Sequence, residues 1–191
     1  MLDIPLIVFE GIDHSGKTTI SKKLAERYTE FKWSKEPVFP SSMADRLNSD
    51  EFRDKPAKRE VLFLKGRLAK QSLYRSTPVI LDRYLWSGLA YAKAFSPEIY
   101  PFVQELYQEY DIFKKPTITF FMSTPVQTCF DRKEPESTET MERLTSLMQA
   151  YIDTEQYVNT PIVLVDGKRS IDECVAQCEE ELKKYCPKYF I

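Results

Sequence analysis

Gly11-Ile12-Asp13-His14-Ser15-Gly16-Lys17-Thr18 sets two glycines five positions apart and follows the second with Lys-Thr, directly after the apolar run Leu6-Ile7-Val8-Phe9. A helical pattern from Thr19 to about Tyr28 comes next, with Ile20, Leu24 and Tyr28 on one face. Strand, glycine-rich turn and helix is the context in which this spacing means phosphate binding. Backbone N–H groups must point into a loop that wraps the anion, and side chains at Gly11 and Gly16 would block its approach. The helix N-terminus adds partial positive charge. Lys17 is placed to reach terminal phosphate oxygens and the Thr18 hydroxyl to ligate Mg²⁺. The plainer reading, a strand-to-helix turn, does not need both glycines and the Lys-Thr pair.

Around this loop, 191 residues suit one domain with a full core, spanning residues 1–191. The 42% hydrophobic and 29% charged content is that of a soluble globular chain. A net charge of −2 gives no global basic field, so neither nucleic acid nor a membrane surface is expected as a partner. No apolar run approaches the ~20 residues of a membrane span. Asp3 and Glu10 in the opening residues do not suit a secretion signal. Cys129, Cys174, Cys178 and Cys186 lack zinc spacing and read as buried thiols of a reducing compartment, so the expected location is cytoplasmic.

Along the chain, strands are expected over residues 6–9, 32–35, 78–82, 116–122 and 161–165. Helices are expected over 19–29, 44–49, 58–75, 83–95, 98–110, 125–132, 141–158 and 170–185, the last with Ser170 as N-cap. Two prolines keep residues 36–42 out of regular pairing. Short buried strands alternating with helices imply a parallel sheet covered on both faces, with ligands at the carboxyl ends of the strands.

Asp82 ends the third strand on the same edge as the glycine loop, where a carboxylate holds Mg²⁺ or else favours a helix N-terminus. Arg83, Ser87 and Tyr91 recur at steps of four, which puts an arginine, a hydroxyl and a ring on one helical stripe. That stripe reads as an acceptor pocket or as an amphipathic surface with a solvated arginine. Phe63 and Arg67 form a second such pair, able to stack on a base and to donate to a carbonyl, or to serve as core plus surface charge.

These residues carry a resemblance to the thymidylate kinase family. Phe9-Glu10-Gly11-Ile12-Asp13 leading into Gly16-Lys17-Thr18-Thr19 resembles the family's opening. Asp82-Arg83-Tyr84, with Ser87, Ala90 and Tyr91, resembles its D-R-Y-x-x-S-x-x-A-Y segment. Leu62-Phe63-Leu64-Lys65-Gly66-Arg67 is similar to its L-F-x-x-[ND]-R helix, Glu36-Pro37 to its acceptor loop, and Val165 to Ile171 to the loop that cups the donor adenine. The resemblance implies a three-layer α/β/α P-loop NTPase fold with a five-stranded parallel sheet and a short lid at about residues 132–143. It further implies a Mg²⁺-dependent kinase passing the γ-phosphoryl of ATP to dTMP, and a homodimer joined through helices that include 58–75 and 83–95.

By the same resemblance, Gly11, His14, Ser15, Gly16, Lys17, Thr18, Thr19, Lys168 and Arg169 would bind ATP. Thr18 and Asp82 would hold Mg²⁺. Phe63 would stack on thymine, Arg67 would meet its O4 and Pro37 would line the base pocket. Arg83 and Ser87 would lie at the acceptor phosphate, Asp13 at the 3′-hydroxyl, and Tyr91 would crowd the 2′ position. Lys17, Asp82, Arg83 and a lid cation, Arg132 or Lys133, would carry the transfer. The chain departs from the pattern at Lys35, at Gly66, and at His14, which stands where one branch of the family carries the loop arginine. Two rivals stay open: a deoxynucleoside kinase, with Glu36 as its base, and a nucleotide-binding switch without transfer.

Overall fold

A computed structural model describes residues 4–36, 52, 55–109 and 112–190. Pro37 and the helix expected over 44–49 lie outside the described residues. The strands are β1 (Leu6–Glu10), β2 (Lys32–Lys35), β3 (Val79–Asp82), β4 (Ile118–Met122) and β5 (Ile162–Val165). All four pairings are parallel and the order is β2-β3-β1-β4-β5. The helices are α1 (Lys17–Arg27), α2 (Pro56–Ala69), α3 (Gln71–Ser76), α4 (Leu85–Phe95), α5 (Tyr100–Glu109), α6 (Val126–Asp131), α7 (Met141–Thr154) and α8 (Ile171–Tyr185). The fold is the expected α/β one.

β1 is central, and its alternation decides which helix lies on which face. Ile7 and Phe9 pack with Ile20 and Leu24 of α1 and Val175 and Leu182 of α8. Leu6 and Val8 point the other way, against Tyr74 and Tyr84. Glu10 shares the face of Leu6 and Val8 and is 1% exposed. Both neighbours of β1, β3 and β4, end level with it: Phe9 pairs with Asp82 and Glu10 with Phe121. Chain reversal on the two sides of β1 therefore opens a crevice at the strands' carboxyl ends, and the glycine loop leaves β1 into it.

Three boundaries differ from the sequence reading in ways that bear on the site. The helix expected over 58–75 divides at Lys70, because the Arg67 carbonyl accepts from the Lys70 amide and from the Gln71 side chain instead of closing a regular turn. The helix expected from Arg83 begins at Leu85. Arg83 sits in the left-handed region (φ 74°), so it ends the strand and turns the chain before α4 starts. The helix expected over 141–158 gives way to a 3₁₀ turn at Glu155–Tyr157. At α8 the Ser170 cap is present and reciprocal: Ser170 Oγ accepts from Glu173 N, and the Glu173 carboxylate accepts from Ser170 N.

α4 has no cap of its own, since no Tyr84 side-chain bond serves its first turn. The Glu10 carboxylate, from β1, takes that place. It accepts from the backbone of Tyr84 (2.8 Å) and Ser87 (3.2 Å) and from the hydroxyls of Ser87 and Tyr151. A carboxylate at a helix N-terminus is favoured by charge as well as by its hydrogen bonds. Glu10→Ala would leave two buried N–H groups unmet, so urea unfolding should show a loss of about 3–5 kcal/mol. Glu10→Gln keeps an accepting carbonyl and should lose about half as much; equal losses from both would deny the capping role.

Candidate active site

The glycine loop is a cradle that only these residues form. Gly11 has φ 138° and a Cβ there would lie 3.1 Å from the Met122 carbonyl; Gly16 has φ 103°. His14 also takes a left-handed conformation (φ 61°), which turns its ring toward the lid, where Nε2 meets Ser137 Oγ at 3.2 Å. Lys17 begins α1, and its ammonium folds back to donate to the Ile12 carbonyl at 2.5 Å and to Ser15 Oγ at 3.4 Å. Burial, together with the Arg83 charge, pulls Lys17 down to about 7 against the carboxylates of Asp13, Asp82 and Glu10. A buried ammonium bonded to neutral oxygens is favoured by an anion beside it.

Thr18 follows on the same turn, and its hydroxyl donates to Asp82 Oδ2 across the strand ends. The other oxygen, Oδ1, is buried without a hydrogen-bond partner among the described residues. Asp82 thus accepts from Thr18 rather than capping α4. One hydroxyl and one orphaned carboxylate oxygen at the mouth of a phosphate loop fit a small hard cation such as Mg²⁺, which takes few protein ligands alongside phosphate oxygens.

This loop opens into a cavity of about 560 Å³, walled by residues 13–20 and by Lys35, Asp82, Arg83, Arg132, Glu134, Gly167, Arg169 and Ile171. Gly167 admits a close crossing: Thr124 Oγ1 stands 2.0 Å from where a Cβ would be, and it donates to the Ser15 carbonyl at 2.8 Å. Arg132 Nη2 donates to the Gly167 carbonyl at 2.9 Å. The loop after β4 is thereby fastened to the phosphate loop, and the loop after β5 to the start of the lid.

A second cavity, of about 850 Å³, lies beside the first and shares Asp13, Lys35 and Arg83 with it. Arg83 is 8% exposed. One nitrogen, Nη1, donates to the Gly11 carbonyl, Ser87 Oγ and Tyr151 OH, each at 3.1 Å, and Nη2 meets Asp13 Oδ1 at 2.7 Å. Tyr91 OH donates to the other Asp13 oxygen at 2.6 Å. Burial would raise the Asp13 carboxyl, but Arg83 and Lys17 hold it well below the usual carboxylate range. At the far end Phe63 and Arg67 line the wall from α2. Arg67 is 2% exposed, with Nη1 3.0 Å from Tyr107 OH. Gly88 of α4 makes room for that pair, since a Cβ there would fall 2.8 Å from Arg67 Nη1.

Of the residues expected at a site, the loop residues 13–19, Asp82, Arg83, Arg132 and Arg169 line the first cavity, and Asp13, Phe63, Arg67, Arg83, Ser87 and Tyr91 the second. Gly11 shapes the loop from behind. Lys168 sits at an exposed turn and lines neither cavity. Lys133 points away, donating to the Glu139 carbonyl with its ammonium over the Phe130 ring. Sequence reasoning missed Glu60, Glu139, Arg143 and Tyr151. Glu60 was findable, since it falls three residues before Phe63 and seven before Arg67 on one helix face. Tyr151 was not, for nothing local marks a residue that reaches Arg83 from α7.

The chain is similar to known proteins over most of its length. A family model described as thymidylate kinase matches residues 9–178. A probable thymidylate kinase of Methanocaldococcus jannaschii is 30% identical, over 91% of this chain and 93% of that one. A thymidylate kinase of Leptospira interrogans is 29% identical, with 91% of each chain covered. Among solved structures, thymidylate kinase from Candida albicans superposes with a TM-score of 0.77 at 23% identity, covering 94% of this chain and 91% of that one. Deoxyadenosine kinase from M. mycoides gives 0.75 at 18% identity, covering 94% and 99%. At those identities the likeness is one of fold.

The lowered Lys17 value has a thermodynamic consequence. Between about 7 and the ordinary 10.5 the unfolded chain binds a proton that the folded one has released, so the empty protein gains stability as pH rises through that window. Below it both states are protonated and the cost of the buried ammonium is present in full. Lys17→Met should therefore stabilise the nucleotide-free protein near a pH of about 6, by up to a few kcal/mol, with the gain fading toward a pH of about 10. Paired urea titrations at the two pH values check the sign.

Proposed function

The chain belongs to the thymidylate kinase family, and from that premise we propose that it transfers the γ-phosphoryl of ATP to a deoxynucleoside 5′-monophosphate, dTMP above others, giving dTDP and ADP. The observation that carries this reading is the pair of cavities meeting at Asp13, Lys35 and Arg83 directly in front of Lys17. A triphosphate in the glycine loop and a monophosphate against Arg83 would present their reacting oxygens to each other across that border. Phosphoryl transfer asks little of a protein beyond such positioning and charge stabilisation.

Each residue then has a task. The loop amides and Lys17 hold the β- and γ-phosphates. Thr18 and Asp82 would hold Mg²⁺, which supplies charge neutralisation at the phosphate oxygens when bound. Arg83, fixed by four neighbours, meets the acceptor phosphate without losing conformational entropy at the moment of binding. Asp13 and Tyr91, hydrogen-bonded to each other, face the sugar. Phe63 and Arg67 face the base. Arg132, already in the wall of the ATP cavity, is the lid cation for the transferring group. Family membership also favours a cytoplasmic homodimer, and Val61 and Leu68, exposed on the outer side of α2, suit a contact between copies.

A deoxynucleoside kinase stays a second reading because Glu36 lines the acceptor cavity, where a base for a 5′-hydroxyl would stand. The buried charge of Arg83 at the cavity border favours an acceptor that brings its own phosphate. ADP release measured across dTMP, dUMP, dGMP and thymidine separates the two: turnover with thymidine but not dTMP would overturn the first.

The lid assignment makes a sharper demand. Arg132→Ala should lower kcat by roughly 10²-fold or more, as loss of an arginine finger does. His14→Ala, which removes only the contact to Ser137, should be mild. The reverse order in steady-state kinetics would move the catalytic charge to the loop histidine.

A further inference from the structure

Glu60 is 7% exposed, lines the acceptor cavity, and forms no hydrogen bond or ion pair among the described residues. It shares the cavity-facing side of α2 with Phe63 and Arg67. A carboxyl group at such a depth is costly unless something meets it. Burial pushes it up to about 7, against the charges of Arg67 and Arg59. Tyr107 from α5 and Glu36 beyond β2 also face this corner through Arg67. The group is therefore held close to neutrality in the empty cavity and ready to ionise beside a donor.

Arginine offers only donors. Arg67 can meet a carbonyl of a pyrimidine, and its Nε is buried with no partner among the described residues. It cannot meet a ring N–H. The edge of thymine alternates carbonyl, N–H and carbonyl, so a cavity that reads it needs an acceptor next to its donor. The other carboxylates of the cavity are engaged: Asp13 by Arg83 and Tyr91, Glu36 by Tyr74, and Glu139 by Arg143. Glu60 is the one on Arg67's own helix face.

We propose that Glu60 reads the acceptor base, its carboxylate accepting the N3–H of a thymine-type pyrimidine whose 4-carbonyl is met by Arg67 and whose ring is covered by Phe63. This rests on the reading of the second cavity as the dTMP site. It makes Glu60 a specificity residue: a base with a methyl or a lone pair at N3 leaves the carboxylate unmet, and a site built on hydrogen bonds rejects such a base strongly.

The test compares dTMP with its N3-methyl derivative, by calorimetric binding and by turnover, in the wild type, Glu60→Ala and Glu60→Gln. The wild type should prefer dTMP by roughly 10²-fold. Glu60→Ala should raise KM for dTMP by about 10- to 100-fold with kcat within about threefold, because a base contact acts equally in ground and transition states. It should also treat the two nucleotides nearly alike. Glu60→Gln, which keeps an accepting carbonyl, should restore most of the preference. If Glu60→Ala keeps the wild-type preference while dTMP is still phosphorylated, the inference falls and the kinase reading stands. If dTMP binds but no phosphoryl moves, the kinase reading falls and the binding ratio still decides the role of Glu60. If the wild type does not bind dTMP, both are wrong.

Discussion

The site hangs on one buried guanidinium. Arg83 is drawn by the loop after β1 (Gly11, Asp13), by α4 (Ser87) and by α7 (Tyr151). Its left-handed backbone follows the last residue of β3, with its amide bonded to the Phe9 carbonyl. That conformation costs about 1 kcal/mol or more and persists only where surroundings over-determine it. Here Glu10 does so, by gripping the amides of Tyr84 and Ser87 just beyond it. Glu10 thus caps a helix and aims an arginine in one act. Removing any member leaves the rest desolvated and partly unmet, so the network is rigid where a reacting phosphate needs fixed charge.

Around this centre the empty protein is out of electrostatic balance. Lys17 is depressed and leans on a backbone carbonyl, and one oxygen of Asp82 has no partner among the described residues. Each of these frustrations is of the kind a triphosphate with its cation would relieve. Binding free energy comes partly from ending unfavourable contacts that folding has already imposed. Stability is given up at the site and held elsewhere, in the apolar faces of β1 and in the stacked Phe9 and Phe120 rings (5.1 Å).

Much of this was legible in the sequence because its signals are local. The glycine loop, the five strands and the Ser170 cap depend on residues within a turn of one another. So does the stripe Arg83, Ser87 and Tyr91, which does face one cavity even though Arg83 precedes the helix. What was not legible depends on particular side-chain contacts, most of them between distant segments. The break after Ala69 comes from a Gln71 side chain competing for a carbonyl. The late start of α4 comes from an arginine held in a left-handed turn by β1, far away in sequence and paired with β3. Arg143, which no sequence signal marked, lies with its guanidinium over the Phe95 ring at 4.2 Å, in the wall of the second cavity. No periodicity encodes that.

That placement bears on how the lid works. A segment of about a dozen residues contributes Arg132 and Glu134 to one cavity and Thr138, Glu139 and Arg143 to the other. Its middle is held to the glycine loop by His14 and Ser137. Its end is fixed by Thr140, whose hydroxyl caps α7 by accepting from the Arg143 amide. A strap held at its middle and its end therefore lines both cavities. Filling either cavity changes the charge that Arg132 or the Glu139–Arg143 pair sees, and so biases the same segment. The histidine in the loop is the short tether of that strap. An arginine in its place would carry a permanent charge toward the phosphates, whereas His14 spends its reach on holding Ser137. In this chain the position fastens the lid to the glycine loop.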